Sequence, residues 1–434
     1  MSKPERVRLD AATMAALDRR RRLKDKIANV TIGFGGVFVV LAITLIFVYL
    51  LVESWPLFKQ PEFNQTQNYQ SQQQSALWID MDEYNQTGIR LLASGEVQYF
   101  TVKDGKTTAS EQLVLPTGTS ISAVQRSGVL QGLVGVGLSN GQLIVFKPNY
   151  SVDVSDDGKS KKVTPSVSFP YGTTPLTVND DQQPLTTFTL HDDDQTLQVL
   201  ASGQQQVVWQ HFAVQKAEGE EGGLGLMSAM DDSDSSEPKV FTRDISNPVV
   251  VSDKADFVVL GQGASWAYSL TKQNDIHVFK ISDNQPTLYQ SLKADLQGAN
   301  ITAVTPLQGE VSLLIGDSNG TISQWFLVRD QHSVEDKFHL QKIRSFKLGN
   351  SAITAIVPEA KRKGFVAGDI KGNIGYFYTT SERTLGIHNA ANSAINTLAI
   401  SARSEGVFVQ AANSASFWSL HSEHPDISMS SAWG

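Results

Sequence analysis

The chain has 434 residues, 41% of them hydrophobic and 9% aromatic, which suffices for two or three ordinary domains or one large repeat architecture with its own core. Lys and Arg number 36 against 44 Asp and Glu, a formal net charge of −8, and this argues against nucleic acid as a partner because phosphate contacts need a basic face. Cysteine is absent, which removes structural disulfides, thiol catalysis and thiolate metal sites together.

Charge is unevenly spread. Residues 1–26 hold nine Lys and Arg and four Asp and Glu, so the remaining 408 residues carry a net charge of about −13. Residues 27–52, IANVTIGFGGVFVVLAITLIFVYLLV, contain no charge. A helix of roughly 20 residues spans a bilayer core of about 30 Å, so this run reads as one transmembrane helix. It is longer than a signal-peptide core and continues into Glu53-Ser54-Trp55-Pro56 without a small-residue cleavage site. The cluster Arg19-Arg20-Arg21-Arg22-Leu23-Lys24-Asp25-Lys26 precedes the span, and cytoplasmic flanks carry the Lys and Arg excess. A cytoplasmic N-terminus with everything after Val52 outside is therefore expected. Gly33, Gly35 and Gly36 are either contact points for a second membrane helix or scattered glycines facing lipid.

Residues 53–75 include QPEFNQTQNYQSQQQS, rich in Gln and Asn with almost no apolar periodicity, and read as a polar linker. Beyond it, apolar runs of four to six residues alternate with Gly, Asn, Asp and Ser, the signature of strands and turns. Units begin at Ala76 (ALWIDMDEYNQTGIRLLASGEVQYFTV) and Ile121 (ISAVQRSGVLQGLVGVGLSNGQLIVF), then at Leu185 and near Pro248, where the run closes with IHVFKI. Further units begin at Ile301 (ITAVTPLQGEVSLLIGDSNGTISQWFL), Ile353 (ITAIVPEAKRKGFVAGDIKGNIGYFY) and Ile395.

The clearest units share one grammar: an Ile-x-Ala-[Val/Ile] strand, a turn, an apolar strand, a Gly-x-x-x-Gly turn and a strand ending in aromatics. Their turns, Gly137 to Gly141, Gly316 to Gly320 and Gly368 to Gly372, predict tight hairpins with positive φ at both central residues of Asn-Gly, a structural rather than a ligand-cradling use. Starts spaced by about 40 to 50 residues are those of four-stranded propeller blades. The expected fold is all-β: a β-propeller of about seven blades over residues 76–421, preceded by one transmembrane helix. Period and strand grammar resemble the WD40 class, but its Trp-Asp ending and Gly-His start are missing. Residues 152–181 and 216–238 interrupt the period and read as long loops on one rim, the second acidic.

No constellation proposes chemistry. Asp192-Asp193-Asp194 and Asp231-Asp232-Ser233-Asp234 lack the spacing of a calcium loop. His421-Ser422-Glu423-His424 lacks zinc-site spacing, and His191, His211, His277, His332, His339 and His388 are dispersed. A nucleophile elbow, a Walker A run and a dinucleotide fingerprint are all missing. No catalytic, cofactor-binding or metal residue is assigned, no small-molecule site is identified, and the exported domain reads as an interaction surface and not an enzyme.

The head RRRRLKDK, the segment FGGVFVVLAITLIFVYLLVESWPLF, the large β domain and the tail HSEHPDISMSSAW (residues 421–433) together resemble an enlarged phosphate ABC-transporter permease of Gram-negative bacteria. The resemblance implies an inner-membrane protein with a periplasmic β domain, partnered by the lipid bilayer and by permease and ATPase subunits in phosphate transport. It also implies several further spans, yet no second run of 18 or more apolar residues follows Val52. Three readings fit: an N-terminal part or subunit of such a permease, a stand-alone anchored propeller scaffold of the bacterial envelope, or an enzyme of the quinoprotein or phytase kind.

Overall fold

The computed structural model describes residues 11–54, 62–70, 76–128, 132–155, 161–193, 196–214, 241–243, 249–330, 337–412 and 414–421, which fall into two units, one ending at Pro61 and one running from Glu62 to His421. Among the described residues of the first, one helix, α1, runs over Ala11–Ser54. It is continuous through the basic cluster, because the Arg and Lys residues there are good helix formers with no Gly or Pro to stop them. From Ile27 to Val52 large apolar side chains are exposed on every side, which makes the helix a candidate membrane span. The hydroxyls of Thr31 and Thr44 donate to the carbonyls of Ile27 and Val40 at 2.9 Å, so these polar groups are satisfied inside the helix. By length and composition, the stretch Asp18–Ser54 can cross a membrane.

The second unit is a seven-bladed β-propeller. Its blades begin with the strands Ala76–Met81, Ile121–Arg126, Thr187–Asp192, Phe257–Leu260, Ile301–Pro306, Ile353–Pro358 and Ile395–Ile400, each the inner edge of an antiparallel sheet. The second strands of blades 5 and 6, Ser312–Asp317 and Gly364–Asp369, are buried at every residue, and so read as continuous apolar runs and not as alternation. The outer strand of blade 1, Thr107–Gln112, is exposed throughout. The core is a ring of seven apolar clusters, one at each junction between neighbouring blades. The junction of blade 7 with blade 1, where Phe408 and Phe417 meet Ile79, Met81 and Phe100, closes the circle.

The repeated grammar has a mechanical explanation. In Ile-x-Ala the middle residue is a β-bulge: Ile301 pairs with Asp317 and Ala303 with Gly316, and the same shift recurs at Ile353/Ala355 and Ile121/Ala123. The two glycines of Gly-x-x-x-Gly do different work. A Cβ on Gly316 would lie 2.7 Å from Cγ2 of Ile353, and one on Gly368 equally close to Ile395, so the first glycine admits the leading isoleucine of the next blade. The second, Gly320 or Gly372, has φ of 81° or 85°. Positive φ is confined to that glycine, unlike the expected double-positive turn. Asp317 opens a turn that Gly320 closes with a 3.3 Å backbone bond, while Asp317 Oδ1 accepts the N–H groups of Asn319 and Thr321 at 2.9 Å. Asp at the first and Gly at the fourth position are the residues a type I turn favours.

Three expectations on extent are corrected. Within the supposed linker, Glu62–Gln70 is a strand, pairing antiparallel with Ser414–His421 as the outermost strand of blade 7. An outer strand with residues 64–68 exposed needs no apolar alternation, and its two anchors, buried Phe63 beside Trp418 and half-buried Tyr69 stacked on Phe408, are spread across a polar background. The fourth blade starts at Phe257, because Val249–Asp253 pairs with Gln206–Val214 of blade 3. Much of 152–181 is sheet: Gln142–Val154 is about twice the length of the usual strand here, and its second half pairs with Lys161–Ser168 as a hairpin. The acidic stretch 216–238 lies outside the described residues.

Candidate functional site

In a four-stranded meander the first-to-second and third-to-fourth connections share one face of the ring. The Gly-x-x-x-Gly turns, being second-to-third connections, lie on the other. On the first face a cleft of about 400 Å³ opens beside the inner strands of blades 6, 7, 1 and 2. Its apolar lining comes from Pro358, Ile400, Met81, Val152 and Val163.

Polar groups converge there. Arg126 Nη1 of blade 2 donates to Oδ1 of the buried Asp80 of blade 1 at 3.2 Å, and the Tyr150 hydroxyl approaches Oδ2 at 3.3 Å. Burial pushes the Asp80 carboxyl up despite the pull of Arg126, and raises the Tyr150 phenol well above its usual range. Asp82 is occupied by its own turn: Oδ2 accepts Tyr84 N at 2.8 Å, and Oδ1 accepts Gln86 N and Thr87 N at 2.7 Å. Tyr84 lies beneath two cations, Lys161 Nζ at 4.4 Å and the Arg403 guanidinium at 4.5 Å from its ring centre. Arg403 also meets Glu83 at 3.4 Å, a bridge from blade 7 to blade 1. Lys161 is delivered by the long hairpin, whose Tyr150, Val167 and Phe169 pack on the core between blades 1 and 2.

A second group lies on the same face. Glu310 of blade 5 reaches past blade 4 to His191 of blade 3, with Oε2 3.8 Å from Nδ1, and its Oε1 fills the place a Cβ would take at Gly128 of blade 2. Burial alone pushes the Glu310 carboxyl up to about 7, and burial lowers the His191 imidazole. Near neutral pH both groups therefore tend to their uncharged forms, and the contact is a polar one and not a strong ion pair.

The residues weighed from the sequence are not brought together. Asp193 accepts the N–H and hydroxyl of Thr196 at 2.7 Å as a turn cap, and Asp192 accepts the Tyr171 hydroxyl. His211 stacks on Trp209, His277 bonds Ser291, His339 bonds Gln341, and His388 packs on Phe63 and Trp418. Asp194, Asp231 to Asp234, His332 and residues 422–424 lie outside the described residues, as does the His421 side chain. Among the described residues no three His, Asp or Glu side chains are grouped to hold a metal. Gly33, Gly35 and Gly36 are open on the helix surface. Sequence reasoning missed Asp80, Tyr84, Arg126, Lys161 and Arg403; the one available signal was the alternation of Val163, Pro165 and Val167 with polar residues, which marks a strand in a stretch read as loop.

The architecture places the chain in the class of seven-bladed β-propellers. No family model matches it, and no curated protein is similar to it in sequence. Among solved structures, the β-propeller domain of Cps50 (Swd1) from Myceliophteria thermophila matches with a TM-score of 0.51 at 10% identity, covering 83% of this chain and 100% of that one. Raptor from Chaetomium thermophilum matches with a TM-score of 0.52 at 13% identity, covering 83% of this chain and 29% of that one. At such identities the likeness defines the fold alone, and propellers host many unrelated functions.

Proposed function

We propose that this chain is a membrane-anchored scaffold: α1 holds it in a bilayer and the propeller presents a face to protein partners. The observation that carries the reading is the open cleft, a concavity whose buried carboxylates are committed to neighbouring donors and not arranged for a reaction. The Arg19 to Lys26 cluster supports a cytoplasmic N-terminus and an external propeller, and the permease resemblance is what implies the bacterial inner membrane. An alkaline phosphatase fused after Leu420 should be active in a bacterial host, and an inactive fusion would reverse the orientation. For the scaffold itself, a photo-cross-linker placed at the exposed Ala402 in the cleft should capture a defined protein in native membranes, while one at the exposed Asn319 on the opposite face should not. Equal capture at both positions, or none, would sink the reading.

The permease resemblance supplies a second reading, favoured by the order of basic head, span and exported β domain. It gains no support from the family and curated comparisons. Its signature would be permease and ATPase subunits among the captured proteins, with phosphate uptake falling in a strain lacking this chain.

A further inference from the structure

The charges around the cleft are unbalanced in a way that identifies a partner. Its carboxylates are engaged from within the fold: both Asp80 oxygens by Arg126 and Tyr150, both Asp82 oxygens by backbone N–H groups, and Glu83 by Arg403. Arg126 and Arg403 are matched in return, but two lysines are not. Lys147 on the lining and Lys361 in the blade 6 loop are exposed, and among the described residues neither meets a carboxylate within ion-pair distance. Lys161 and Arg403 are both gathered on the Tyr84 ring, an arrangement of like charges that an incoming anion would relieve. Lys361 is near enough to this group to act on Glu83. Outside its first 26 residues the chain carries about −13, so a rim with two lysines unmatched among the described residues runs against its composition.

We propose that this cleft binds an acidic peptide segment of a partner protein, its carboxylates meeting Lys147, Lys161, Lys361 and Arg403 and its apolar side chains resting on Pro358, Ile400 and Val152. This deepens the scaffold reading and rests on it. A lipid surface fits less well, because the cations border a concavity that a bilayer cannot enter. The apolar lining between the cations suits a peptide that alternates acidic and apolar side chains.

The test uses the full chain in nanodiscs of zwitterionic lipid and a fluorescein-labelled peptide of four Glu-Leu-Gly repeats, read by anisotropy. Binding should weaken as salt rises, and the matching Lys-Leu-Gly peptide should not bind. Lys147→Glu and Lys361→Glu, at exposed positions, should each weaken binding at least fivefold and together by more than tenfold, with the melting temperature unchanged. Lys272→Glu, in a second-to-third turn on the opposite face, should leave it within twofold. Absent binding, equal binding of the basic peptide, or indifference to both reversals would overturn the proposal. Loss of binding in nanodiscs containing phosphatidylglycerol would reassign the cleft to lipid. Binding that emerges only after residues 216–238 are removed would reassign it to the chain's own acidic stretch. Cross-linking at Ala402 that persists in the double reversal would leave the scaffold reading standing while this proposal fails.

Discussion

Blades 5 and 6 and the group of blades 7, 1 and 2 share one four-stranded plan and use their residues differently. In blades 5 and 6 the repeated residues all serve the ring: the bulge after the leading Ile, the glycine that admits the next blade, the Asp that caps the turn and the glycine at positive φ. In blades 7, 1 and 2 the plan is altered. One outer strand comes from the segment after α1, the third strand of blade 2, Gln142–Val154, is about twice the usual length, and Asp80 near the end of an inner strand meets Tyr84 and Arg403 of first-to-second connections around a cleft. Repetition marks what builds the propeller, and departures from it mark what the propeller presents.

The comparison is broken most severely by removing the borrowed strand. A chain from Glu62 to His421 should be soluble and melt in one cooperative transition, since the ring is complete without α1. A chain starting at residue 76 exposes the edge of Ser414–His421 and loses Phe63; it should melt broadly or aggregate, because blades bury their faces only on neighbours and exposed edges recruit other chains. Sharp melting of the shorter chain would show that closure does not depend on this strand. Within the complete ring, Phe63→Ala should cost about 3 to 5 kcal/mol, the usual range for a buried aromatic, because its ring contacts Tyr376, His388 and Trp418 together. Urea unfolding would measure it, and a loss below 1 kcal/mol would make Glu62–Gln70 a passive flap.

A glycine pair sharpens the contrast between the two regions. Gly372→Ala places a Cβ against the carbonyl of Ala391 at φ 85°, whereas Gly118→Ala, at φ 78°, meets open space. Both pay the left-handed penalty of about 1 to 2 kcal/mol, so the difference isolates the close approach of neighbouring backbone. Gly372→Ala should be the more destabilising by at least about 1 kcal/mol in thermal or urea melts, and equal losses would remove the packing role assigned to the turn.

The fold was legible because the ring repeats. Six of the seven blade starts are readable within two residues, at Ala76, Ile121, Leu185, Ile301, Ile353 and Ile395, since each inner strand must bury the same kind of side chain. The fourth was displaced because Val249–Asp253 is a strand of the preceding blade, and register between blades leaves no periodic trace. Glu62–Gln70 was illegible for a different reason: an outer strand is held by backbone bonds, so polar composition and strand formation do not conflict. Beyond the alternation that marks the strand carrying Lys161, the cleft could not be read. Asp80 and Arg126 are 46 positions apart and Tyr84 and Arg403 more than 300, and only ring closure brings blade 7 beside blade 1.

The smallest expected effect concerns the contact that crosses the ring from blade 5 to blade 3. Glu310 has its carboxyl pushed up to about 7 from an ordinary 4.5, so between those values the folded protein keeps a proton that the unfolded chain has lost. Its contribution to stability is therefore fully present below about 4.5 and is lost as pH rises through 7. His191, held below its ordinary value by burial, acts in the opposite sense, its contribution being lost as pH falls below 6.5. Asp192 and Asp193 beside it raise the imidazole and so temper that loss. Glu310→Gln keeps the shape and removes the titration. It should match the parent protein near pH 5 and exceed it at pH 8 by about 2 kcal/mol, the order expected for a shift of this size in a group still partly open to water. Urea midpoints measured from pH 5 to 8 would show the two curves diverging as pH rises. Parallel curves would mean that Glu310 ionises freely in the folded state, and the inward reach of its side chain toward Gly128 would then have no energetic consequence.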